Sequence, residues 1–128
     1  MAELHLDTNA LIALADPSLE LFQITTKRIE AGDLPSASAI AWHEFVRGQA
    51  SGDDVKRAAE VLDGRVLPMD RDAAETAARL FRATGSRRAS TADCLIAAIA
   101  IQADAVLLTA NRDDFVRFEP HGLKLLTP

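Results

Sequence analysis

Cysteine is nearly absent from this chain of 128 residues, where Cys94 stands alone. No intramolecular disulfide can form, no cysteine cluster can hold a metal, and a reducing compartment suits the chain. Tyrosine is missing altogether, and aromatics make up only 5% of the residues. With a 48% apolar share, the core must be built from aliphatic side chains, and the composition argues against disorder. No apolar run approaches the ~20 residues that span a bilayer; the longest, Cys94 to Ile101, is far shorter. Met1-Ala2-Glu3-Leu4 lacks the basic stretch and apolar segment of a secretory signal, so a cytoplasmic location is expected. Positive charge is scarce too: 14 Lys and Arg against 19 Asp and Glu leave a formal charge of -5. That sign argues against a simple nucleic-acid binding module, which holds its ligand by bulk attraction. A polyanionic substrate would have to be met by metal ions and a few local arginines.

What the chain does have is an unusually apolar helix, Ala92 to Ile101. It is apolar almost all the way round, the pattern of a buried helix. Counting from Asp93, the same-face neighbours Ile96, Ala97, Ala100 and Ile101 are all apolar. A carboxylate at the head of a buried stripe is costly unless it is paired or ligates something. The other reading is an early-helix acid that favours the helix dipole, with Ser90 or Thr91 as the cap.

Strand and helix signals alternate along the rest of the chain. Leu4-His5-Leu6 reads as a strand, followed by a helix from Ala10 to Ala15 that Asp16-Pro17 breaks. Leu19, Phe22, Thr26 and Ile29 mark a one-faced helix stopped by Gly32. Leu34 to Ser38 is a weak strand, and Ile40 to Gln49 a helix carrying Trp42, Glu44 and Phe45. Asp53 or Asp54 is the expected cap of a helix facing inward through Val55, Ala58, Ala59 and Leu62. Arg65 to Met69 reads as a short strand, and Asp70 as the cap of a helix facing inward through Ala74, Ala77 and Phe81. Ala105 to Leu108 is a continuous apolar strand of the fully buried kind, and Leu123 to Leu126 gives a last strand. No linker or repeat interrupts the alternation. The expectation is one α/β domain over residues 1–128, a mostly parallel sheet of about five short strands with helices on both faces.

In such a sheet, ligands bind beyond the carboxyl ends of the strands. Asp7 follows the first strand, and Asn111, Asp113 and Asp114 follow the strand ending at Leu108. Asp93 heads the helix leading into that strand, and Glu44 lies on a helix after another. Carboxylates gathered at one edge repel each other, and a divalent cation relieves the repulsion. All-oxygen ligands suit Mg²⁺ or Mn²⁺, and no His or Cys spacing suggests zinc. Metal-assisted phosphodiester hydrolysis is the reaction class these residues point to.

Asp7-Thr8-Asn9, Glu44 within Ser38 to Phe45, Asp93-Cys94-Leu95-Ile96-Ala97-Ala98 and Thr109-Ala110-Asn111-Arg112-Asp113-Asp114-Phe115 together resemble a PIN domain. The nearest likeness is to the VapC-like toxins of bacterial and archaeal toxin–antitoxin pairs, and it covers essentially the whole chain. The resemblance implies a three-layer Rossmann-like fold, a Mg²⁺- or Mn²⁺-dependent endoribonuclease acting on RNA, a homodimer, and an antitoxin that inserts a segment near the acidic cleft. It matches Asp7, Glu44, Asp93 and Asp114 to the family's acidic quartet. Asp7, Asp93 and Asp114 would ligate metal, and Glu44 would hold or activate a water. Thr8 and Asn111 match polar helpers, a hydroxyl or backbone contact and an amide orienting a carboxylate. Asp113 neighbours Asp114, and the motif register favours Asp114.

Other residues attract less. His43 sits one step round the helix from Glu44 and faces away, while His5 and His121 read as packing or solvent residues. Cys94 has no histidine placed to activate it and reads as a small core residue. Among Arg87, Arg88, Arg112 and Arg117, all in flanking loops, only Arg112 lies inside a motif and is retained as a possible RNA contact. Three rival functions remain. A phosphatase with an Asp nucleophile needs an acid where Asn9 stands. A receiver domain needs paired acids after the first strand and a lysine after the last. A catalytically silent partner would keep the acidic cleft only to receive a basic peptide.

Overall fold

The first strand, β1 (Glu3–Leu6), shows at once how the chain is layered. Leu4 and Leu6 point to one face and His5 to the other, and all three are fully buried. A strand covered on both sides is the signature of a central strand in a parallel sheet. The computed structural model describes residues 2–128 and contains four more strands, β2 (Leu34–Ser38), β3 (Val66–Leu67), β4 (Val106–Leu108) and β5 (Lys124–Leu126). Their order across the sheet is β3-β2-β1-β4-β5, and every neighbouring pair is parallel. The connections are helical: α1 (Thr8–Ala13), α2 (Glu20–Glu30), α3 (Ala39–Arg47), α4 (Gly52–Leu62), α5 (Arg71–Ala83), α6 (Thr91–Gln102) and the short α7 (Arg112–Phe115). The architecture is the Rossmann-like α/β fold expected from the alternation.

Helix α6 is the middle of the core. Cys94, Ile96, Ala97, Ala98, Ile99 and Ala100 are all buried, so the continuous apolar pattern translates directly into burial. Its small alanines allow close packing. At its head, Ser90 occupies the cap position, yet its hydroxyl donates to the Arg87 carbonyl at 2.7 Å, and Thr91 donates to Arg88 at 2.8 Å. Neither caps the helix, which leaves Asp93 in an otherwise uncapped first turn.

Four expectations are corrected. Helix α1 begins at Thr8 rather than Ala10, because the chain turns immediately after β1. The cap of α4 is Ser51, upstream of Asp53 and Asp54. The Ser51 hydroxyl accepts from the Asp54 N–H at 3.1 Å and the Asp54 carboxylate accepts from the Ser51 N–H at 3.3 Å, a reciprocal capping box. Asp70 does cap α5, accepting from the Ala73 N–H at 2.8 Å, but the buried stripe of that helix is Ala73, Ala77 and Leu80. Ala74 is exposed and Phe81 half-buried. Strand β3 shrinks to two residues, as befits a sheet edge.

A polar chain crosses the sheet below the core. The Ser36 hydroxyl donates to Glu3 Oε2 at 3.1 Å and meets His5 Nδ1 at 2.9 Å, and Glu3 pairs with Arg65. If the serine proton goes to Glu3, Nδ1 must be the protonated nitrogen of His5. Nε2 is then a buried lone pair, with no partner among the described residues. Burial pulls the imidazole pKa down to about 4.

Ser38 ends β2 and caps α3, its fully buried Oγ accepting from the Ala41 N–H at 3.0 Å. This bond sets the direction of α3 and hence of Glu44. Ser38→Ala is expected to cost about 1–2 kcal/mol. In thermal denaturation that is a fall of about 4–8 °C, and an unchanged melting temperature would refute a stabilising cap.

Candidate active site

Strand order reverses between β1 and β4, since the chain runs from β1 outward to β2 and later returns to the other side of β1. The crevice at such a switch point is where doubly wound sheets bind ligands. Asp7 is the first residue beyond β1, and its N–H donates to the Leu108 carbonyl at 3.1 Å, which ties it to the end of β4. Its backbone stands in the N-cap position of α1, but its side chain makes no capping bond. The carboxylate is turned instead toward the crevice side. Oδ2 accepts from the Thr109 hydroxyl at 2.7 Å and from the Asn9 amide at 3.3 Å. Asn9 also donates to Thr109 Oγ1 at 3.3 Å, and its Oδ1 accepts from the Ala110 N–H at 3.0 Å. The acid is thus buried and locked in one orientation, with both side-chain bonds taken by Oδ2. Burial, the first cause, raises its pKa, and the charge of Glu44 adds to that, while the Thr109, Thr8 and Asn9 hydrogen bonds pull the other way.

Glu44 reaches the same crevice from α3, where Thr8 donates its hydroxyl to Oε1 at 3.1 Å. Helix α6 runs antiparallel to the strands, so its N-terminus arrives at the carboxyl edge of the sheet and presents Asp93 there. Asp7, Thr8, Asn9, Ile12, Glu44, Asp93 and Asn111 line one open cleft of about 280 Å³. Asp114, on α7, lines an adjoining depression that shares Asn111. The cleft's electrostatics tie the four acids together. The Asp93 pKa is raised to about 6, first by burial, then by the charges of Asp114, Asp7 and Glu44, with only Arg117 opposing. Among the described residues, no three acidic, imidazole or thiol groups already close on one point as a finished cage. The acids face a common space and repel across it.

A PIN domain family model matches residues 4–119. The chain belongs to the PIN domain family. PIN domains are in general nucleases, and solved structures with the same fold are several. FitAcB from Neisseria gonorrhoeae superposes with a TM-score of 0.72 at 21% identity, over 96% of this chain and 96% of that one. VapBC-1 from nontypeable Haemophilus influenzae gives 0.68 at 25% identity, over 97% and 96%. VapBC-5 from Mycobacterium tuberculosis, described as a member of the VapBC family of toxin–antitoxin systems, gives 0.60 at 25%, over 99% and 98%. No curated protein sequence matches the chain.

Within this PIN domain, Asp7, Glu44, Asp93 and Asp114 share one electrostatic neighbourhood, and Asp113 is absent from the charges acting on Asp93. Thr8 holds Glu44, as a polar helper would. Asn111 lines the cleft, but it bonds to the acid network through its backbone, its N–H donating to Thr109 Oγ1 at 3.0 Å and its carbonyl accepting from the Asp114 N–H at 3.1 Å. The amide that orients a carboxylate is Asn9, and the hydroxyl that does so is Thr109. Both were legible as polar residues directly after strands, yet nothing local to them told that they face each other. Arg112 is exposed and pairs with Glu119 at 3.4 Å, while Arg117 is the arginine that comes near Asp93.

Proposed function

We propose that this PIN domain is a Mg²⁺- or Mn²⁺-dependent endoribonuclease and the toxin of a toxin–antitoxin pair, acting in the cytoplasm. The observation carrying this reading is the gathering of Asp7, Glu44 and Asp93 on the switch-point cleft, with Asp114 in the depression beside it. The donor set fits a hard divalent cation: oxygen ligands only, one carboxylate pre-oriented, and an Asp93 raised by burial and by the charges of its neighbours. Asp7, Asp93 and Asp114 would hold the ion. When bound, it supplies charge neutralisation, polarisation of a phosphodiester and a more acidic water. Glu44, fixed by Thr8, is placed to accept a proton from the attacking water, and Asn111 lines the wall along which a strand would lie.

A partner is supported by a second feature beside the acids. Ile12, Ala15, Phe45, Gly48 and Ala50 line a mostly apolar groove of about 350 Å³ whose polar lining is Glu44, Gln49 and Asp54, and Ile12 is 56% exposed. An antitoxin segment with apolar residues for the groove and a basic residue for the carboxylates fits this surface. The likeness to toxin–antitoxin structures supports the same partner, and a homodimer. A silent domain that only receives a basic peptide would show the groove without the chemistry.

Cleavage of a mixed pool of cellular RNAs decides between them. Purified protein is expected to cut with Mg²⁺ or Mn²⁺ and not with chelator, and Asp7→Asn is expected to lose the activity. Equal cutting by wild type and Asp7→Asn, or none by wild type in either metal, would overturn the nuclease reading.

A further inference from the structure

The charge balance of the cleft is incomplete without one more residue. Four carboxylates and one divalent ion still leave net negative charge facing an anionic substrate, in a chain whose formal charge is -5. Some cation must meet the phosphate. Among the described residues, Arg117 is the only basic side chain in an ion pair with any of the four acids, its Nη2 lying 3.7 Å from Asp93 Oδ2. That separation is longer than a hydrogen bond, so the guanidinium donors on this side are not used up. The group is also held in place. Its central carbon sits 4.8 Å from the centre of the Phe118 ring, and Phe118 is fully buried. Arg117 Nε is buried and has no partner among the described residues. The side chain is 22% exposed and comes beside Asp93, which lines the cleft. Arg112, by contrast, is engaged with Glu119 on the outside.

Resting on the nuclease reading above, we propose that Arg117 is a substrate-binding residue that meets a phosphate of the RNA strand at the cleft. The planar guanidinium, stacked on one face, offers its edge to phosphate oxygens at little further loss of freedom. Once a metal takes up the charge of Asp93, that edge is free for substrate.

Arg117→Met removes the charge and leaves an apolar stem on Phe118, and Arg117→Lys restores the charge without the planar edge. With short single-stranded RNA of mixed sequence, Arg117→Met is expected to lower kcat/KM on the order of 10²-fold, mostly through KM. Arg117→Lys should regain part of the loss. With metal present in the cleavage-dead Glu44→Gln background, the slope of log affinity against log salt should flatten by about 0.7 for one lost phosphate contact. The metal concentration for half-maximal cutting should not move. An unchanged salt slope, or a shifted metal requirement with RNA affinity intact, overturns the proposal in favour of a tether for Asp93. A wild type that cuts no RNA overturns the nuclease reading and this inference together, whereas cutting by Arg117→Met at the wild-type rate overturns this inference alone.

Discussion

Asp93→Asn is expected to make the protein more stable and inactive at once. The carboxyl of Asp93 has a pKa of about 6 in the folded chain against an ordinary 3.8. Between those values the folded state holds a proton that the unfolded state has released, so stability declines as pH rises through the window. Above about pH 6 the folded protein carries the whole penalty. The side chain is 26% exposed, and after solvent screening the penalty is about 1–2 kcal/mol. An asparagine of the same shape escapes it, so at pH 7 the metal-free variant should melt about 4–8 °C higher. His5 supplies the opposite slope. Its pKa falls from 6.5 to about 4 on burial, so the unfolded state gains the proton first and stability falls as the solution is acidified through that range. In wild type the two slopes oppose each other between about pH 4 and 6 and flatten the profile. In the variant only His5 remains, and the advantage should shrink steadily toward pH 4. Asp7 is present in both proteins and cancels from the comparison. Activity should fall by about three orders of magnitude, the several kcal/mol that metal-based charge stabilisation is worth. Calorimetry across this pH range, together with RNA cleavage, checks both halves. A variant that melts lower than wild type at pH 7 would contradict the electrostatic account.

Phe115→Ala should give the largest loss of stability. Phe115 is 1% exposed, and its ring lies 6.2 Å from that of Phe118 at 59°, a favourable tilted pair. Emptying that space is expected to cost about 3–5 kcal/mol, or roughly 10–20 °C in melting temperature. The functional loss should exceed the loss of folded molecules. Helix α7 has only four residues and cannot hold itself together; the buried ring is what fastens it to the core. Without it, Asp114 and Asn111 lose their fixed position beside the cleft. Denaturation together with metal-dependent cleavage well below the melting point tests this. Full activity of the still-folded variant would show that α7 is held by something other than Phe115.

The parts of the fold that were legible in the sequence are those where one physical signal dominates. Helix α6 was plain because its apolar residues surround the axis, and any phase of the helix gives burial. The placement of Asp7 followed from a strand too short to continue past it. Helix α5 was misread for the converse reason. It carries two small-residue stripes, Ala73-Ala77-Leu80 and Ala74-Ala78-Phe81, and periodicity alone cannot rank them. The first is buried in the core, where α5 packs on α6, and the second, with Met69 and Leu95, lines an open apolar groove of about 440 Å³. Before α4 three side chains compete for one cap, and Ser51 wins because its short hydroxyl leaves Asp54 free to close the box. At the candidate site, the acids could be placed at one edge from strand order alone. The network that aims them could not, because Asn9 and Thr109 meet only through the β1–β4 pairing. Arg117 lay outside every motif, and its aim depends on Phe118 beneath it.

The bond from Thr109 to Asp7 joins residues 102 positions apart in the chain. A ribosome adding about 5–20 residues per second therefore makes Asp7 some 5–20 s before Thr109. Throughout that interval β1 lacks its neighbour β4, and the carboxylate of Asp7 lacks the Thr109 hydroxyl that fixes it. The acids come into being as scattered groups, and they become a constellation only once β4 pairs with β1. A chain built in this order has no assembled acidic site until β4 has been made and has paired with β1.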